Sequence, residues 1–369
     1  MSAKKHGLVY KIFKIIFIVF LSLVVLLVGM IAFLSITEYR PKDRESIKVE
    51  GSARRTLGEG ESFSVLTFNM GYGALGDNAD FFMDGGKSVN TADKKRVDSN
   101  LSGILKTVKS LSPDIVFFQE IDKNSSRSRH INEYSRFKSE LQDYAFSFAN
   151  NFKVKFLPYP IPPIGKVDSG IATASAFDVS SSERIQLPIP FSWPMRMANL
   201  KRCLLVSRVP IKGSEKELVL VNLHLEAYDD GEGKKKQTEA LVKVLKQEVE
   251  KGNYVVAGGD FNQIFSNIGK DTFPVKDGLW APGEIDVTDI QKDFECLMDK
   301  TVPSCRSLDK AYNGADKKSF QYYLIDGFIV SKNIEVESVE TQDLGFVNSD
   351  HNPVLIKLKL GEVNLNETK

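Results

Sequence analysis

Hydrophobic positions follow three patterns along this chain. The first is a charge-free apolar run from Ile15 to Ile36, 22 residues long. As a helix it spans roughly 33 Å, enough for the hydrocarbon core of a bilayer. A cleavable signal peptide has a shorter apolar stretch and small residues at its cut site, whereas this run ends in Leu34-Ser35-Ile36. The second pattern is a set of short apolar runs with strand character: "FSVLTF" (63–68), "DIVFFQE" (114–120), "LVLVNLHL" (218–225), "YVVAGGD" (254–260), "YYLIDGFIV" (322–330) and "NPVLIKLKL" (352–360). The third is helical spacing. Val97, Leu101, Ile104, Leu105, Val108 and Leu111 make one apolar stripe within 93–112, closed by Pro113. Leu241, Val244, Leu245 and Val249 make another within 234–251, with Gly252 placed to cap it.

Strands joined partly by helices and partly by short loops predict an α/β protein with mixed sheets and helices on their outer faces. Residues 37–61 are charged and almost free of large apolar groups, which predicts a flexible stalk. Seven of the 14 prolines crowd into 150–200, which predicts loops laid over the domain rather than regular strands. The expected organisation is a cytoplasmic basic tail (1–14), a transmembrane signal anchor (15–36), the stalk (37–61), one folded domain (62–361) and a C-terminal tail (362–369).

Composition adds little until it is divided. The 369 residues are 42% hydrophobic and 26% charged, in the globular range, with a net charge of +1. Lys4, Lys5, Lys11 and Lys14 precede the apolar run with no acid among them, and Glu38 follows it. The positive-inside rule then places the N-terminus in the cytoplasm and the domain outside, as a single-pass protein of the cell membrane. What remains after residue 36 holds 45 bases and 48 acids. Such a balance argues against tight, sequence-independent binding to long nucleic acid. Of three cysteines, Cys203 reads as an inert core thiol; Cys296 and Cys305 either close a small disulfide loop or remain free.

The chemistry sits at strand ends. "SVLTFN" ends at Asn69, "DIVFFQE" at Glu120, "LVLVNLH" at His224, and "VVAGGDFN" at Asp260 and Asn262. "SDHNPV" opens the last strand with Asp350 and His351, and Asp326 lies inside an apolar run where an acid is costly without a partner. Strand alternation predicts that Asp260 and Asn262 project together while Phe261 turns into the core; the competing reading is an Asx turn.

The ordered series "LTFN", "FFQE", "VNLHL", "GGDFN", "LIDGFIV" and "SDHNPV" resembles the endonuclease/exonuclease/phosphatase superfamily, the deoxyribonuclease-like fold, from about residue 62 to 360. The resemblance implies a four-layered α/β/β/α sandwich of two mixed sheets. It implies a hydrolase of phosphate esters that uses Mg²⁺ or Mn²⁺: a phosphodiesterase, a phosphatase or a nuclease. By the same resemblance Asn69, Glu120 and Asp350 belong to the metal site, and His351 is the general base with its second N–H on Asp326. His224 donates to the phosphate, and Asp260 and Asn262 orient the nucleophile or the phosphoryl oxygens. Many members carry a further acid after the first motif, for which Asp77, Asp80 and Asp84 are available, Asp84 the best placed. Arg127, Arg129 and His130 lie near enough in sequence to meet a phosphate.

The implied substrate is a phosphate ester of a lipid, a small molecule or a nucleic acid, with the membrane reached through the N-terminal helix and no obligate protein partner evident. Phe156, Tyr159, Phe191 and Trp193 either meet a bilayer interface or pack over the end of the sandwich. A different class of reading is an inactive surface module used only for binding. Such a module would be expected to lose one of Glu120, Asp260, Asn262 or His351, and all four are present.

Overall fold

A computed structural model describes residues 2–53, 55–229, 231–269 and 272–361; the expected C-terminal tail lies outside them. Helix α1 (Ser2–Thr37) contains the apolar run and begins within the expected basic tail. Its stretch Gly7–Thr37 is long and apolar enough to cross a membrane, and none of its most apolar part is buried. Helices α2 (Lys94–Leu111), α3 (Glu133–Glu140) and α4 (Glu232–Glu250) belong to the folded domain. Asp93 caps α2 by accepting the Arg96 N–H at 2.7 Å, and Ser112 ends it in the left-handed region before Pro113.

The first half of the domain contributes β1 (Arg44–Ile47), β2 (Leu57–Gly58), β3 (Ser62–Asn69), β4 (Ile115–Asp122), β5 (Ala145–Leu157), β6 (Gly165–Ser175) and β7 (Ser181–Gln186). Then come β8 (Cys203–Lys212), β9 (Glu217–His224), β10 (Tyr254–Asp260), β11 (Gln263–Phe265) and β12 (Gly283–Ile285). The last are β13 (Phe294–Leu297), β14 (Cys305–Arg306), β15 (Tyr322–Tyr323), β16 (Asp326–Ser331), β17 (Ile334–Thr341) and β18 (Val354–Leu360).

Two large mixed sheets result. One runs β1-β7-β8-β9-β10-β16-β13, with β2 paired to β8; the other runs β17-β18-β3-β4-β6-β5. Their inner faces meet through Phe63, Val65, Phe117, Leu220, Val256, Phe328 and Ile356. The outer face of the second sheet is covered by α2 and α3 through Val97, Leu101, Ile104 and Phe137. The outer face of the first is covered by α4 through Leu241 and Leu245. This is the α/β/β/α sandwich; α2 and α4 turn their predicted stripes toward the sheets, and α3 is not foreseen from spacing.

Three expectations change. Residues 37–61 are not a free stalk: β1 pairs with β7, β2 with β8, and Glu50 bridges to Phe146. Backbone pairing to the sheet holds this segment, together with Leu57 buried in the inter-sheet core and Ile47 packed at its edge, so the domain begins near Arg44. The proline-rich stretch contains β5, β6 and β7; the prolines themselves occupy only the connections around 158–163 and 188–194. All three cysteines are buried and free, so Cys296 and Cys305 form no disulfide.

Candidate active site

The ends of β3, β4, β9, β10 and β16 converge on one end of the sandwich. Parallel pairing sets Asp260 opposite His224, and antiparallel pairing sets Asp260 opposite Asp326. Beneath them a buried polar bridge joins the two sheets. Thr67 donates to Gln119 at 3.2 Å, and Gln119 donates to Asn222 at 2.9 Å. Asn222 in turn donates to the Ala172 carbonyl at 2.8 Å. Every partner is saturated by another, which fixes the registration of the strand ends above.

A cavity of about 360 Å³ opens over these ends. Glu120, His224, Asp260, Asn262, Asp350 and His351 line it, while Asn69 and Asp326 stand behind and touch the lining. Glu120 reaches it through a bulge between Phe118 and Ile121 that leaves its backbone at φ +53°. Tyr72 (φ +41°) and Asn262 (φ +51°) also line the cavity in the left-handed region. Such strain persists only where surrounding contacts impose it. Asn262 is therefore not a continuation of the strand. Its N–H donates to Asp260 Oδ1 at 2.9 Å, the Asx turn, and its side chain donates to the Leu225 carbonyl at 2.9 Å. Phe261 is fully buried as expected.

Asp260 is the centre of the cluster. Its Oδ2 accepts from Asn69 Nδ2 at 3.0 Å and lies 3.5 Å from His224 Nε2 and 3.9 Å from His351 Nε2. Burial, then the charge of Asp326, pushes its carboxyl up to about 7. His351 Nδ1 meets Asp326 Oδ2 at 2.8 Å. Burial opposes a charge on His351, but Asp326 and then Cys305 hold the imidazole well above its ordinary range. His224 goes the other way: burial, then Arg202, pushes it well below that range. Such a shift favours the neutral ring, which keeps one N–H to donate.

Asn69 Oδ1 accepts the Gly71 N–H at 3.0 Å, and its Nδ2 also reaches Glu120 Oε1 at 3.5 Å. The amide thus faces the carboxylates as a donor. Gly71 is at φ +50°, and a Cβ there would stand 2.8 Å from Asp350 Oδ1, so the turn after Asn69 needs glycine.

Glu120 and Asp350 are the carboxylates that fit a hard cation. Glu120 Oε2 is 4.0 Å from Arg127, and Asp350 Oδ1 is 3.4 Å from Ser349 Oγ. Burial is the main cause raising both carboxyls, and each raises the other or is raised by a neighbouring acid. Arg127 beside Glu120, and His351 and Arg306 beside Asp350, favour the charged carboxylates but do not offset burial; a divalent ion with oxygen ligands would add positive charge there. Among the described residues, two three-residue groups have donor atoms within 4.8 Å of one another: Asp260, Asp326 and His351, and Cys305, Asp350 and His351.

Of the extra acids, Asp84 lines the cavity and accepts from the Tyr228 hydroxyl at 2.9 Å; burial pushes it up to about 7. Asp77 pairs with Arg96, and Asp80 accepts from the Lys87 backbone. Arg127 lines the cavity, lies 3.8 Å over the Tyr72 ring and is held by Asp122 and Ser169. Arg129 and His130 do not line it; they bind the Ala92 carbonyl and Asn124. Sequence reasoning missed Arg202, Arg306, Tyr228 and Trp280, which also line it. They sit outside the strand-end pattern, and no spacing marks them.

The Endonuclease/Exonuclease/phosphatase family profile matches residues 66–351. An endonuclease/exonuclease/phosphatase structure from Beutenbergia cavernae is similar at TM-score 0.54 and 16% identity, covering 81% of this chain and 72% of that one. One from Bacteroides vulgatus gives TM-score 0.52 and 17% identity over 81% and 99% of the two chains. No curated protein matches.

Proposed function

The chain belongs to the endonuclease/exonuclease/phosphatase family and is a metal-dependent phosphoric ester hydrolase, and from that premise we propose a membrane-anchored enzyme acting outside the cytoplasm with Mg²⁺. The observation that carries the reading is the convergence of eight motif residues, from strand ends of both sheets, on one cavity. Glu120 and Asp350 would hold the metal, with Asp84 at its edge. When bound, the ion neutralises phosphoryl charge and steadies the leaving oxygen.

Asp260 holds the attacking water and takes its proton, a role supported by a carboxyl near neutrality and by both of its oxygens being fixed by donors. The base role expected of His351 passes to Asp260. His351, oriented by Asp326, and His224 present Nε2 atoms to the phosphoryl oxygens. Asn69 is a positioning residue rather than a metal ligand, because its amide nitrogen faces Asp260 and Glu120. Asn262 fixes Asp260 through its own backbone. Arg127, held by Asp122 and Ser169 with Nη1 turned toward Glu120 at 4.0 Å, places its positive charge beside the phosphate. The water oxygen bonds to phosphorus, the bond from phosphorus to the leaving oxygen breaks, and the proton taken from water ends on the leaving alcohol.

The test is hydrolysis of bis-p-nitrophenyl phosphate by the full chain in detergent. Turnover that requires Mg²⁺ or Mn²⁺, stops with EDTA and fails in Asp260→Asn supports the reading. Turnover indifferent to EDTA and to that substitution refutes it.

A further inference from the structure

The domain grips the membrane helix beside the cavity. Met30, Ile31 and Leu34 of α1 pack with Phe152, Val154, Leu157, Met197 and Ala198. Ser35 Oγ donates to Met197 Sδ at 2.8 Å. Just beyond, the buried Glu38 carboxylate takes ion pairs from Arg40 at 2.9 Å, Arg196 at 3.0 Å and Lys201 at 3.6 Å. Met30 lies seven residues before Thr37, about 10 Å down the helix axis. The domain therefore touches α1 within its apolar run.

Phe152 belongs to two places at once. It packs in the cluster that holds α1, and it lines the cavity. Its ring lies 6.0 Å from the Arg127 guanidinium, which is 4.0 Å from Glu120. One chain of contacts thus runs from the membrane helix to the proposed metal ligand.

The exposed apolar side chains follow the same side. Outside α1, eight large hydrophobic residues are exposed among the described residues. Tyr159, Ile161, Trp193 and Met195 belong to the two connections beside the helix contact, and Met83 and Tyr228 line the cavity. The Tyr159 ring contacts Phe82, next to Met83, with centroids 6.2 Å apart. Scattered surface hydrophobics need no explanation, but two of the eight at the opening and four on the connections beside the helix contact do. Aromatic side chains of this kind settle at the headgroup level of a bilayer.

We propose that the cavity opens onto the membrane that α1 crosses, and that its substrate is a membrane lipid bearing a phosphate ester. The substrate class rests on the hydrolase reading above; the orientation of the opening does not. The lipid phosphate enters toward Glu120 and Asp260, and its glyceryl or sphingoid portion lies on Phe152, Ile164, Phe191 and Leu200. The bond cleaved is between phosphorus and the leaving oxygen, with water as the second reactant.

Two measurements test this on the full chain in phosphatidylcholine vesicles. The protein has two tryptophans, so Trp280→Phe leaves Trp193 alone. Vesicles with bromine on the acyl chains should quench Trp193 emission by roughly half; emission unchanged from unbrominated vesicles would overturn the proposal. If Trp280→Phe does not fold, Trp193→Phe gives the same comparison by difference. In the second measurement the vesicles also contain sphingomyelin, phosphatidylglycerol, phosphatidylinositol and phosphatidic acid. Release of water-soluble phosphate or headgroup is expected. The Ile161→Asp/Trp193→Asp double variant should release it roughly tenfold more slowly, with bis-p-nitrophenyl phosphate turnover unchanged. Cleavage of the soluble ester with no release from vesicles sinks the lipid assignment. Absence of both activities from the unsubstituted chain, with Trp193 quenched in Trp280→Phe, sinks the hydrolase reading and leaves the orientation standing.

Discussion

Asp326 Oδ2 and His351 Nδ1 stand 2.8 Å apart, although 25 residues separate them in sequence. The carboxylate, at the first position of β16, accepts the ring N–H and leaves Nε2 directed toward Asp260 at 3.9 Å. Asp326→Asn keeps the shape and removes the charge that orients and holds the imidazole. We expect kcat on a phosphodiester to fall about a hundredfold with KM little changed, measured by steady-state kinetics. A fall in kcat smaller than threefold, as a rough threshold, would remove Asp326 from the mechanism.

The acid limb of the rate profile should belong to Asp260. A base works when it has lost its proton, so kcat/KM should rise through pH of about 7 and level off above it. Asp260→Asn should abolish that limb along with nearly all turnover.

The same carboxyl makes a prediction about stability. Its folded pKa is raised, so from the ordinary range near 3.8 up to about 7 the folded state keeps a proton that the unfolded chain has released. Raising pH through that window costs stability. Asp260→Asn should therefore melt higher than the native protein at pH 8, with the gap closing by pH 4. Differential scanning calorimetry at the two pH values checks it, and a lower melting point at pH 8 contradicts it.

Metal binding should depend on Glu120. Glu120→Gln keeps an oxygen but loses the charge, and the Mg²⁺ concentration for half-maximal activity should rise at least tenfold or so. Titration calorimetry with Mn²⁺ gives the binding directly; an unchanged isotherm would place the ion elsewhere.

Asn222 holds the two sheets together beneath the site. Asn222→Ala removes the acceptor at 2.9 Å from Gln119 Nε2, leaving it only the Phe117 carbonyl at 3.3 Å, and removes a donor from the Ala172 carbonyl. It should cost about 2 kcal/mol in urea unfolding. Activity should fall with it, because the strand ends above lose their common registration.

The sequence by itself determined the elements and the chemistry. Apolar stripes at helical spacing fixed α2 and α4, because a helix must bury one face, and the charge-free run fixed α1. Short apolar runs ending in Asn69, Glu120, His224 and Asp260 marked the polar strand ends; neighbouring strands bring Asn69 near Glu120 in one sheet and His224 beside Asp260 in the other, and only sheet packing brings the two rims together. Local pattern carries that information because it is written in neighbouring residues. It carried none about β1, whose residues Arg44–Ile47 are partly charged and stay in place through backbone bonds to β7. Nor did it carry the direction in which Asn69 and Asn262 turn their amides, the bulge that aims Glu120, or the place of Arg202 and Trp280 in the cavity wall. Those depend on contacts between segments far apart in the chain, and only the packing of the two sheets decides which contacts form. Phe152 is the clearest case: in the sequence it is one phenylalanine in a strand, and in the fold it stands between the membrane helix and the cavity.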